Sequence, residues 1–111
     1  MRPLRSRIPL LVAALALAAV VIALTTRSPE ESVVGVVIAV DAQGLVDVRG
    51  FTIRTDDART LTFRVGDLEN PVEFPPGHLV EHQATSEQVR VRYRREAETL
   101  VAVRLEDAQA P

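Results

Sequence analysis

Val33-Val34-Gly35-Val36-Val37-Ile38-Ala39-Val40 is a nearly unbroken β-branched run with a glycine inside it. Such a run predicts a strand that is buried on both faces or sharply coiled, and the internal Gly35 predicts a bend or bulge. Asp41-Ala42-Gln43-Gly44 has the composition of a turn. A second strand follows from about Leu45 to Thr55. Val46 and Val48 point one way there, and Asp47 and Arg49 the other. After Gly50 the phase reverses, with Phe51 and Ile53 apolar and Thr52 and Arg54 polar. A reversal of period-two phase at a glycine predicts a β-bulge. Asp56-Asp57-Ala58 closes a hairpin into a third strand, Thr60 to Val65, in which Leu61, Phe63 and Val65 alternate with Thr62 and Arg64.

Alternation then stops. Pro71, Pro75, Pro76 and Gly77 cluster in the segment from Gly66 to Glu87, which has room for one short helix over Gly77 to Ala84 with Leu79, and Val80 beside it, on the buried side. Alternation returns with Val89, Val91 and Tyr93 against Arg90, Arg92 and Arg94. After a turn at Arg95-Glu96-Ala97-Glu98 it resumes with Val101, Val103 and Leu105 inward and Arg104 outward. The order is three meandering strands, a helix-bearing connection, then a hairpin. A bent, glycine-containing first strand and a helical connection between strands three and four resemble the OB-fold, a five-stranded Greek-key barrel. The expected fold class is mainly β: a small OB-like barrel with one short helix. A small open sheet or an SH3-like barrel is the alternative.

Ahead of the barrel, residues 8–24 (IPLLVAALALAAVVIAL) carry no charge and no strong polar group. As a helix they span roughly 25 Å at about 1.5 Å per residue, the short end of a membrane span. Thr25 and Thr26 extend the run into the interface. Arg2, Arg5 and Arg7 precede it, while Arg27 is followed closely by Glu30 and Glu31. Positive charge stays cytoplasmic, so the expected layout is a cytoplasmic stub (1–7), a transmembrane anchor (8–26), a linker (27–32), an extracytoplasmic OB-like domain (33–106) and a flexible tail (107–111). A cleaved secretory signal is the competing interpretation, but small-x-small triplets such as Ala16-Leu17-Ala18 fall inside the apolar core rather than after it. The absence of cysteine excludes a lipoprotein signal, disulfides and thiolate metal sites.

This layout resembles the cytochrome c maturation haem chaperones, which place an exported OB domain behind an N-terminal anchor. The resemblance is one of layout and implies no site residue here. That family's signature is a histidine in a C-terminal His-Asp-x-x-Tyr-type segment, whereas this chain ends Arg104-Leu105-Glu106-Asp107-Ala108-Gln109-Ala110-Pro111, with neither histidine nor tyrosine.

Charge narrows the function classes. Residues 28–111 hold nine arginines against fifteen carboxylates, a balance unsuited to binding a phosphate backbone. With no Trp and one Tyr, stacking platforms for bases are also scarce, so nucleic acid is not an expected partner. No nucleophile motif, phosphate loop or metalloprotease helix is present, so the chain is not expected to be an enzyme and no resident cofactor is assigned. Two groups of residues remain. Phe74, with Arg90, Arg92 and Arg94 on one strand face, forms a candidate surface for a protein partner in the cell envelope; the alternatives are a tucked phenylalanine and solvated arginines paired across strands. His78 and His82, the only histidines, stand four apart. On a helix that spacing puts both imidazoles on one face, where they can share a metal, with Glu81 or Glu73 as a nearby oxygen donor. An ordinary exposed helix face gives the same spacing. The expected role is a non-catalytic, membrane-anchored binding or scaffolding module. The alternative is a haem or divalent-metal carrier using His78 and His82.

Overall fold

The computed structural model describes residues 28–44 and 47–108. The stub, the expected anchor and the end of the tail lie outside the described residues, and among the described residues no helix is long and apolar enough to cross a membrane. The elements are β1 (Glu31–Gln43), β2 (Asp47–Thr55), β3 (Thr60–Val65), α1 (His78–Thr85), β4 (Gln88–Glu96) and β5 (Thr99–Asp107). The strands close into a barrel in the order β1-β2-β3-β5-β4. β3 and β5 are the parallel pair and the other pairings are antiparallel. Five strands in this order, with the helix between β3 and β4, make an OB-like barrel.

β1 closes the ring because it is long and coiled. Its first half, Glu31 to Val36, pairs with β4, and its second half, Gly35 to Gln43, pairs with β2. The crossover falls at Gly35. A Cβ there would lie 2.6 Å from the Arg54 carbonyl oxygen and 3.2 Å from Ile53 Cδ1, so glycine lets the strands approach where β1 changes partner. Gly35→Ala is expected to destabilise the fold by about 1–3 kcal/mol through overpacking, read as a lower urea midpoint at unchanged slope. The phase reversal in β2 is also a bulge. Asp41 pairs with Gly50 and the next β1 residue with Val48, leaving Arg49 unmatched. Val48 is buried before it, and Gly50, Phe51, Ile53 and Thr55 after it.

The core fills from alternate positions of every strand. Phe51 stacks on Phe63 at 5.2 Å between ring centres, and Tyr93 meets Phe63 edge-on at 5.1 Å. Ile53, Leu79, Val89, Val91 and Leu105 are fully buried around them. The Tyr93 hydroxyl donates to Glu31 Oε2 at 2.7 Å, which ties the start of β1 to β4. Burial and the neighbouring Glu31 carboxylate both push the Tyr93 hydroxyl above its ordinary range.

The connection from β3 to α1 positions the functional residues. Beyond Val65 the chain keeps running alongside β5. The Gly66 amide donates to the Ala102 carbonyl at 3.4 Å and the Glu69 amide to the Val103 carbonyl at 2.8 Å. Buried Asn70 then substitutes a side chain for backbone pairing: its Nδ2 donates to the Leu105 carbonyl at 2.6 Å, and its Oδ1 accepts from the Leu105 amide at 3.3 Å. The Phe74 amide donates back to the Asn70 carbonyl at 3.0 Å. Pro75, Pro76 and Gly77 accept the first helical amides, from His78, Leu79 and Val80, and α1 begins one residue after the expected start. It ends at Ser86 in the left-handed region, φ 60°. The chain has thus been carried along β5 to its last turn, and α1 stands beside Asp107.

Candidate metal centre

α1 has little apolar face of its own; its buried residues are Leu79 and His82. Val80, expected beside Leu79 on the buried side, faces out. The position three residues after Leu79 turns inward instead, which puts His82 in the barrel wall at 1% exposure. Both of its ring nitrogens have partners. Nδ1 lies 3.1 Å from the Glu87 carbonyl oxygen, and Nε2 lies 2.7 Å from Asp107 Oδ1. A carbonyl oxygen only accepts, so the proton of a neutral imidazole sits on Nδ1 and the lone pair of Nε2 faces the carboxylate.

His78 repeats the arrangement one turn earlier. Its Nδ1 lies 2.7 Å from Glu81 Oε2, an i,i+3 partner on the same helix, and its Nε2 is 4.0 Å from the same Asp107 Oδ1. The carboxylate orients this ring too, and turns its Nε2 toward Asp107. One donor atom each from His78, His82 and Asp107 lies within 4.8 Å of the others. Donors on a tetrahedral ion at Zn–N and Zn–O lengths stand roughly 3.4 Å apart. The observed distances bracket that value. His78 and Asp107, with side chains 37% and 62% exposed, have room to adjust around the fixed His82.

Phe74 lies behind the two rings. It meets His78 edge-on at 5.0 Å and His82 at 5.4 Å with a tilt of 39°, and the imidazole centres are 5.0 Å apart. At 3% exposure it is not displayed for a partner, as its place in a proline-rich loop suggested. The Asn70 carbonyl holds its amide, and its ring forms the apolar back of the histidine pair.

Arg90, Arg92 and Arg94 lie on the outer face of β4 as expected, and each has a carboxylate partner. Arg90 approaches Glu106 at 3.9 Å, Arg92 reaches Glu30 at 2.9 Å and also Glu69, and Arg94 reaches Glu96 at 2.8 Å. Pairs this exposed contribute about 0–1 kcal/mol each, and they cancel most of the positive field the stripe would project. Of the two glutamates near the histidines in sequence, Glu81 orients His78 and Glu73 lies 3.3 Å from Arg104. Arg104 also donates to Glu106 at 2.6 Å, and this hydrogen bond holds the Glu106 carboxyl below the usual carboxylate range.

The residue that completes the cluster is Asp107, which the sequence placed in a frayed tail. It is the last residue of β5 and pairs with Val89, and the Ala108 amide donates to the Gln88 carbonyl at 3.1 Å. The available signal was weak: Asp107 keeps only the parity of the inward positions Val101, Val103 and Leu105.

No protein family matches the chain, and no curated protein is similar to it. Among solved structures it is similar to CusF from Escherichia coli, determined as its Ag(I) form over residues 10–88. The TM-score is 0.50 at 14% identity, covering 76% of this chain and 98% of that one. The likeness is one of fold and supports the OB-like barrel. The donor sets are a separate matter: this chain has no cysteine, and its one methionine is Met1, so His78, His82 and Asp107 offer nitrogen and oxygen only.

Proposed function

We propose that this protein is a non-catalytic, membrane-tethered, extracytoplasmic module that binds one divalent metal ion through His78, His82 and Asp107. The observation that carries the proposal is the His82–Asp107 contact. With its Nδ1–H donating to the Glu87 carbonyl, His82 turns a lone pair toward a carboxylate oxygen 2.7 Å away. Two acceptors that close need a cation: a proton on Nε2 at the observed 2.7 Å, or a metal ion once the pair opens to roughly 3.4 Å. The outward-facing His78 brings a second lone pair to the same point, and a proton has no use for it. Each ring is oriented through its other nitrogen, by a backbone carbonyl and by a carboxylate, the usual outer-shell arrangement for histidine ligands. The silver ion of the CusF structure agrees with a small barrel of this kind holding a metal. Here, however, two imidazoles and a carboxylate suit zinc, cobalt(II), nickel(II) or copper(II) rather than soft monovalent ions. Anchoring and export rest on residues 8–26 and the charges that flank them.

Isothermal titration of zinc into the full-length protein tests the proposal. One equivalent is expected to bind, and Asp107→Asn at an exposed position or His78→Ala at a half-buried one is expected to abolish stoichiometric binding while the far-ultraviolet circular dichroism stays unchanged. Glu81→Gln removes only the group that orients His78 and is expected to weaken binding about 10-fold. Equal zinc uptake by the wild type and Asp107→Asn would overturn the assignment.

A further inference from the structure

The three donors leave a coordination position unfilled, and what surrounds it restricts what can enter. Glu81 is turned to the far nitrogen of His78 at 2.7 Å, and Glu73 and Glu106 are both held by Arg104 at 3.3 and 2.6 Å. Among the described residues, no other His, Cys, Asp or Glu joins the cluster. Three protein donors with an open fourth position are the arrangement of a zinc site that takes an outside ligand, whereas structural sites are closed by four. The open side can be located. His82 and Phe74 are buried behind the site, while His78 and Asp107 form its exposed edge. Asp107 and Phe74 also border a recess of about 200 Å³ lined in addition by Glu73 and Glu106.

Charge selects the ligand. A divalent ion balances Asp107 and the nearby Glu81. Arg104 and Arg90 balance Glu73 and Glu106, with Arg90 3.9 Å from Glu106. The loaded centre is therefore close to neutral, and a second anion would add uncompensated negative charge beside four carboxylates. A neutral nitrogen donor adds none, and imidazole is a good ligand for the same borderline ions.

Resting on the metal-binding proposal, we infer that the loaded site is open on its His78–Asp107 side and takes one exogenous imidazole-type donor to complete its coordination. The ion is then held in a ternary complex, fixed from behind by His82 and reached from in front by the incoming ring.

Cobalt(II) loaded into the full-length protein in mild detergent tests this by its visible ligand-field bands. Loading alone should produce tetrahedral cobalt bands that are absent in Asp107→Asn; if no such bands appear, both the metal proposal and this inference fail. Imidazole titrated into the loaded protein should then shift the bands along a saturable curve, with one imidazole per cobalt, while dialysis shows the cobalt still bound. Acetate over the same range should leave the bands unchanged. Unaltered bands with imidazole mean a closed coordination sphere and overturn the inference alone. So does an equal response to acetate, or loss of cobalt to the imidazole. A short histidine-containing peptide forms a second arm: tighter binding than free imidazole assigns the donor to a protein side chain, and equal binding assigns it to a small molecule.

Discussion

Zinc at about a hundred times its dissociation constant is expected to stabilise the barrel by about 2.7 kcal/mol, since an ion that binds only the folded chain shifts the equilibrium by mass action. For a domain of this size each kcal/mol moves the melting midpoint by about 4–8 °C, so the midpoint should rise by about 10–20 °C. The size of the effect follows from where the ligands lie. His78 and His82 belong to α1, and Asp107 is the last residue of β5. In the chain Asp107 lies 25 residues beyond His82, and nothing in the unfolded state holds them together. A bound ion would pin the helix to the end of the barrel, where the Glu87 carbonyl, just ahead of β4, already holds His82. Asp107→Asn keeps the steric outline but removes the anionic donor, and its midpoint should not respond to zinc. A zinc-independent midpoint in the wild type would mean that a proton alone fills the His82–Asp107 contact.

The second large effect lies in the core. Phe63 is in contact with Phe51 on one side and Tyr93 on the other, so it joins the β2–β3 side of the barrel to β4. Phe63→Ala removes the middle ring of the three and is expected to cost about 3–5 kcal/mol. Net stabilities run at about 0.05–0.15 kcal/mol per residue, and a small barrel without disulfides has little to spare. The variant should therefore be largely unfolded at 37 °C by circular dichroism. Phe63→Leu refills most of the volume and should recover much of the loss. A melting midpoint for Phe63→Ala within a few degrees of the wild type would show that closure of the ring does not depend on this cluster.

Most of the barrel was legible because its signals are local. The Gly35 bend and the phase reversal at Gly50 are each written within a few residues, and so are the alternations of β3, β4 and β5. The metal centre was half legible. The His78–His82 spacing puts both rings on one side of a helix, and that much can be read from the sequence. Burial of His82 cannot, because it depends on which face of α1 meets the barrel. That is a tertiary matter, set by contacts far apart in the chain, such as Asn70 in the connection ahead of α1 bonding to Leu105, 35 residues away. Asp107 was missed for a related reason. After Leu105 the chain becomes polar, and a polar end reads as a tail; only the pairing with Val89 and the arrival of α1 bring its last acidic residue to the two histidines. Phe74 was left open between a displayed ring and a tucked one, because two prolines and a glycine after it suit either, and the structure has the tucked one. Here those residues start the helix, and the aromatic ring turns in beneath it.

The central claim is that His78 and His82 hold a metal through Nε2 while their Nδ1–H groups donate to Glu81 and to the Glu87 carbonyl. Nitrogen-15 spectra of the histidine side chains, recorded before and after one equivalent of zinc, test it most directly. The account predicts that both Nε2 resonances move to metal-bound positions and both Nδ1 resonances remain those of protonated nitrogens. Nε2 resonances that do not respond to zinc, or zinc bound through Nδ1, would contradict it.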